Sequence, residues 1–125
     1  METSDSISKF LKPREARRFG LQITSVLQKL EPTESVIFAA RADVYAVQPN
    51  FSGIAALTAH RLIVSLVGGG HAMWGSYAYR DIPYVRIMRD VATIGPDDLV
   101  VSIGKTACDR LKVLVCDAGG TVIKL

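Results

Sequence analysis

The chain of 125 residues is the size of one ordinary domain, and 49% hydrophobic against 22% charged residues is a folded balance rather than a disordered one. A formal net charge of +3 is too small to indicate nucleic acid by itself, and no apolar run approaches the roughly 18 residues of a membrane span. The opening "METSDSISKF" lacks the charged and apolar regions of a secretory signal, so the expected location is the cytoplasm or a particle assembled there, such as a virion.

The first third reads as helix. In "SISKFL", Ile7, Phe10 and Leu11 share one face at i, i+3 and i+4, with Asp5 as expected N-cap. Pro13 ends that turn and suits the first position of a second helix. From there Ala16, Phe19, Ile23, Val26, Leu27 and Leu30 form an apolar stripe. Arg14, Arg17, Arg18, Gln22, Ser25 and Lys29 take the other side. This predicts one amphipathic helix of about 18 residues ending near Pro32, with its stripe on the β-part of the chain. Gly20 falls in the stripe, where a missing side chain suits close approach to a partner surface. Leu21 projects among the arginines, and an exposed leucine suits a protein interface better than a phosphate backbone. The boundary falls near Glu31 to Glu34, dividing a helical segment, 1–31, from a β-rich segment, 32–125.

The rest reads as short strands separated by turns. "VIFAARADVYAV" alternates, with Val36, Phe38, Ala40, Ala42, Val44 and Ala46 on one face. "IAALTA" and "RLIVSLV" follow, joined tightly around His60. "GGG" is a turn before "MWGSYAYR". Then come "YVRIMRDV", the turn "GPDD", "LVVSI", "RLKVLVC", the turn "DAGG" and "TVIKL". Seven or eight strands with no helix between them predict an antiparallel barrel or sandwich.

No motif points to catalysis. "SIGKT" ends like a phosphate-binding loop, but Leu99 stands where the first glycine is needed, and a hairpin turn is expected there. Ser102 and Lys105 have the spacing of a serine–lysine acylase without its expected helix start. "VGGGHAMWG" lacks the dinucleotide-binding spacing. His60, His71, Cys108 and Cys116 match no metal-site pattern. On one strand the two cysteines stand about 27 Å apart, so they are expected as free thiols. No catalytic, cofactor or metal residue is therefore assigned.

"GIAALTAHRLIV" resembles a hairpin of the bacterial pleckstrin-homology-like (PH-like) domain family. The pattern Gly-x-x-x-Leu-Thr-x-x-Arg-Leu is carried by Gly53, Leu57, Thr58, Arg61 and Leu62. "LEPTESVIFAARA" is similar to the family's Leu-x-Pro-x-Glu opening, and "YAYRDIPYVRI" to its aromatic fourth strand and the strand after it. The resemblance covers about residues 30–116. It implies a small, strongly bent antiparallel β-barrel, so that with the strand count and the helical first third read above the expected fold is mainly β, of seven or eight strands, with an N-terminal α segment. In the family a C-terminal helix closes one end. Here "GGTVIKL" leaves no room for it in this reading, and the N-terminal amphipathic helix is expected in its place. The loop that binds phosphoinositides in eukaryotic relatives falls at 48–52, which holds no lysine or arginine.

The resulting expectation is a non-catalytic interaction or assembly module, a subunit of a larger homo- or hetero-oligomer, a viral or phage particle included. Its partner-binding residues are Ile7, Phe10, Leu11, Arg14, Arg17, Arg18 and Leu21, with residues 4–12 docking into another subunit. The alternative is a peripheral binder of anionic lipid or nucleic-acid surfaces through the basic helix.

Overall fold

The computed structural model describes residues 2–45 and 50–124. Ala46 and Val47 of the expected first strand, Gln48 and Pro49 of the loop at 48–52, and Leu125 of the final strand lie outside these residues. Three helices come first: α1 (Asp5–Ser8), α2 (Pro13–Arg18) and α3 (Gly20–Lys29). The strands β1 (Phe38–Val44), β2 (Phe51–Leu57), β3 (Arg61–Gly68) and β4 (His71–Ala78) form an antiparallel meander. A 3-10 turn, Tyr79–Asp81, leads to a second meander of β5 (Tyr84–Met88), β6 (Val91–Ile94) and β7 (Leu99–Ser102). Helix α4 (Lys105–Asp117) and strand β8 (Thr121–Lys124) complete the chain.

All eight strands belong to one open sheet in the order β4-β3-β2-β1-β7-β6-β5-β8. The meanders meet where Asp43 of β1 pairs with Ser102 of β7. β8 runs parallel to β5, a departure from the wholly antiparallel expectation.

The apolar density of β2 and β3 follows from burial on both faces. Ala55, Leu57, Leu62, Val64 and Leu66 point to the inner core with Val85, Ile94 and Val101. Ile54, Ala56 and Ile63 point the other way, onto Ile7, Phe19, Ile23 and Val26. A sheet covered on both faces needs near-continuous hydrophobic strands rather than alternating ones. Gly53 is demanded by close approach, since a Cβ there would stand 2.0 Å from the Ser65 carbonyl oxygen. Gly69 and Gly70, with φ of 57° and 80°, make the two-residue β3–β4 turn, whose twist suits a hairpin.

Helix α4 corrects the sequence reading at three points. "RLKVLVC" is helix, not strand, and "SIGKT" is a strand end leading into that helix, not a hairpin turn. The N-terminal helices do not stand in place of a C-terminal helix. α4 covers the inner core with Ala107, Cys108, Leu111 and Val115, while α1 and α3 cover the opposite face of β1–β3. Cys108 and Cys116 are both unpaired as expected, but they lie on this helix, about 12 Å apart by its rise.

The apolar stripe does pack on the sheet: Phe19 is 1% exposed and Ile23 and Val26 are buried. The expected single helix is instead broken at Phe19. Gly20 is exposed with nothing within 4 Å of a Cβ there, so it serves no close approach within the chain. Ser4 rather than Asp5 stands at the N-cap of α1. Segments 1–31 and 32–125 thus share an apolar layer. Among the described residues no helix is long and apolar enough to cross a membrane.

Candidate interaction surface

Two residues of the hairpin motif, Thr58 and Arg61, meet Glu34 of the Leu-x-Pro-x-Glu segment in one strap. Glu34, on the α3–β1 connection, accepts hydrogen bonds from Arg61 Nε at 2.9 Å and Nη2 at 2.7 Å. Thr58 Oγ1 donates to the same carboxylate at 2.8 Å. Arg61 Nη2 also reaches the Lys29 carbonyl at the end of α3, and Nη1 donates to Ser76 Oγ on β4. Tyr79 Oη lies 2.8 Å from the carbonyl oxygens of both Thr58 and Arg61. The Arg61 guanidinium holds the Glu34 carboxyl down to about 2, and Glu34 in turn raises Arg61. Burial pushes the Tyr79 phenol up.

An open cleft of ≈ 720 Å³ lies over this strap, lined in part by Glu31, His60, Arg80 and Asp117. Glu34 and Arg61 are committed to each other there. The arrangement ties α3, the β2–β3 turn and β4 together, which is a structural role for Thr58 and Arg61.

A second feature is cationic and aromatic. The rings of Phe10 and Phe38 stand 5.0 Å apart. Lys9 lies 5.2 Å from the Phe10 centroid and Arg110 of α4 lies 4.9 Å from that of Phe38. Arg18 and Arg41 flank Phe19 at 4.8 Å and 5.6 Å. Only Arg41 among these cations has a carboxylate partner among the described residues, Asp43 at 3.1 Å. Cations over ring faces gain modestly while keeping their charge toward solvent.

The structure divides the expected partner-binding residues into two groups. Ile7 is fully enclosed by the chain itself, and Phe10 and Leu11 are half-buried against the same layer. The apolar face of α1 expected to dock on another subunit is thus folded back onto this chain's own sheet. Arg14, Arg17, Arg18 and Leu21 are exposed, Leu21 at 82%. Glu15, next to these arginines, accepts the Lys12 backbone N–H at 3.0 Å and so caps α2.

The sequence reading missed Phe38, Arg41 and Arg110 as neighbours of this surface. Arg41 stood visibly on the polar side of β1. Arg110 had no such signal, because its position depends on α4 being a helix.

At "SIGKT" the strand–glycine–helix path does resemble a phosphate loop. However, the N–H groups of Ile103 and Gly104 donate to the Asp90 carbonyl at 3.1 Å and 3.2 Å. They are turned into the fold, whereas a phosphate cradle needs such groups aimed at the ligand. Compared with known proteins, the chain matches no protein-family model and no curated protein.

Proposed function

We propose that this chain is a non-catalytic PH-like interaction module, a subunit of a larger assembly, whose exposed basic helix face meets an acidic protein surface. The observation that carries this reading is Leu21. It is 82% exposed beside exposed Arg14, Arg17 and Arg18, while Phe19 at the helix break and Ile23 and Val26 of α3 face the sheet. Leu21 adds an apolar contact to a face whose arginines complement acidic groups. Support for the PH-like part comes from the Thr58–Arg61–Glu34 strap, which gives the motif residues a physical task. It comes also from α4, which supplies a helix after the last antiparallel strand, as the family plan requires.

The test is the native mass of the protein with its natural partners, for the unaltered chain and for Arg17→Glu with Leu21→Ser. Both positions are exposed, so the fold is expected to persist and the complex to be lost. A complex that survives the double substitution overturns the reading. Binding to nucleic acid or anionic vesicles that weakens steeply with salt favours the peripheral-binder alternative instead.

A further inference from the structure

β4 ends the sheet, with β3 on one side and no strand on the other among the described residues. The two-residue turn makes Gly68 and His71 the closing hydrogen-bonded pair of the hairpin. Alternate residues follow in phase. Met73, Gly75 and Tyr77 therefore bond to β3, while Ala72, Trp74, Ser76 and Ala78 turn their N–H and C=O groups outward. The bond from Tyr79 N–H to the His60 carbonyl, 3.0 Å, fits this phase. No turn, loop or cap bond among the described residues engages the four outward residues' backbone.

Native edges are usually blunted by lysine, other charges, proline or a bulge. "HAMWGSYA" contains no Lys, Arg, Asp, Glu or Pro, and it pairs with β3 over its whole length without a bulge. Its apolar side chains are also exposed: Trp74 at 53%, with Met73 on the opposite face and Val67 on the adjoining strand. Lys29 lies 4.4 Å from the Trp74 centroid and supports the ring on the outer face.

We infer that β4 pairs antiparallel with β4 of a second copy across a two-fold axis at Gly75, joining two sheets into one. The strand is its own complement in this register. Ala72 pairs with Ala78 of the second copy and Trp74 with its Ser76, and symmetry repeats both. These pairs exchange about eight main-chain hydrogen bonds. On the inner face Met73 stands opposite Tyr77 of the second copy, a thioether–ring match. On the outer face the two Trp74 rings are diagonal neighbours, about 7–8 Å apart at the backbone and within reach of each other. Gly75 puts no side chain of its own at the axis, and the Tyr77 ring of the same strand lies over it. A shift of one residue would set outward groups of one copy against groups already bonded to β3. Shifts of two lose part of the pairing.

The inference rests on the assembly reading only in naming a second copy as one partner, and it uses a surface other than the helix face. The experiment is sedimentation equilibrium of the full chain over a ~1000-fold concentration range, paired with residue-resolved amide exchange. The expected result is a reversible dimer that does not weaken with salt. In it the amides of Ala72, Trp74, Ser76 and Ala78 gain protection as concentration rises. Those of Met73, Gly75 and Tyr77 are protected throughout. Ala72→Lys with Trp74→Lys, both at exposed positions, should give a folded monomer. A chain that stays monomeric throughout overturns the inference and leaves the helix-face reading standing. So does a dimer that survives the lysines but is lost in Arg17→Glu with Leu21→Ser.

Discussion

β3 and β4 are neighbours of equal length joined by two glycines, yet they lead opposite lives. From Leu62 to Leu66 every β3 residue is buried, while His71 to Trp74 of β4 are all exposed. The difference is not hydrophobicity, since β4 carries Met73, Trp74 and Tyr77. It is coverage. β3 lies under α3 on one face and the inner core on the other, whereas β4 is only grazed by them, by Lys29 over the Trp74 ring and by Tyr77 against the inner core. Apolar residues in the covered strand are there for stability, whereas the exposed Trp74 at the edge adds little to the folded monomer and Tyr77 contributes through the inner core.

The sharpest break in this comparison comes from removing the cover. Phe19→Ala empties a fully buried ring position above β2 and β3 and should cost about 3–5 kcal/mol in chemical denaturation. A loss under about 0.5 kcal/mol would show that the outer layer contributes little. At the strap, Glu34→Gln leaves Arg61 without its carboxylate and should cost about 2–3 kcal/mol, less than for a fully sealed pair because Arg61 is 18% exposed.

The same pair predicts a pH signature. Glu34 sits at about 2 in the folded chain against an ordinary 4.5. A depressed carboxyl contributes stability that is fully present above pH 4.5 and lost as pH falls toward 2, up to about 3 kcal/mol. Unfolding titrations should show that decline, and Glu34→Gln should flatten its share of it. A slope unchanged in the variant would remove Glu34 as the cause.

The smallest stability effect belongs to the edge. Trp74→Ser should change monomer stability by less than about 1 kcal/mol, measured by denaturation at high dilution. A loss comparable to that of Phe19→Ala would mean that Trp74 is part of the core. At the phosphate-loop look-alike, Lys105→Ala should leave isothermal titration with magnesium–ATP as flat as in the unaltered chain. Saturable heat lost on substitution would refute the reading of "SIGKT" as a structural junction.

Much of the first meander was legible in the residues themselves. The turn at Thr58–His60, the glycine turn and the apolar helix stripe all follow from neighbours within a few positions. The second half was less legible at α4. Leu111, Val113 and Val115 alternate with Lys112 and Leu114, which reads as a strand over a short window. Across thirteen residues, Ala107, Cys108, Leu111 and Val115 instead keep helical spacing, and Val113 at 53% exposure settles the phase. At the candidate surface the exposed positions of Arg14, Arg17, Arg18 and Leu21 were legible. The enclosure of Ile7 was not, because an amphipathic turn shows that it has an apolar face and not whose surface that face meets.

The sequence by itself determined the helical N-terminal third, the tight β2–β3 hairpin and the lack of charge along β4, because each depends on local periodicity, turn chemistry or composition. Only the tertiary structure decided that α4 seals the inner core, that α1 and α3 lie on the opposite face, and that β4 rather than β3 is the edge. The physical reason is range. Helix and strand periods are set by residues a turn or two apart, but coverage depends on segments far apart in the chain. Ile7 meets the face of β2 and β3 that carries Ile54 and Ile63, and Arg61 finds Glu34, only once the sheet has formed.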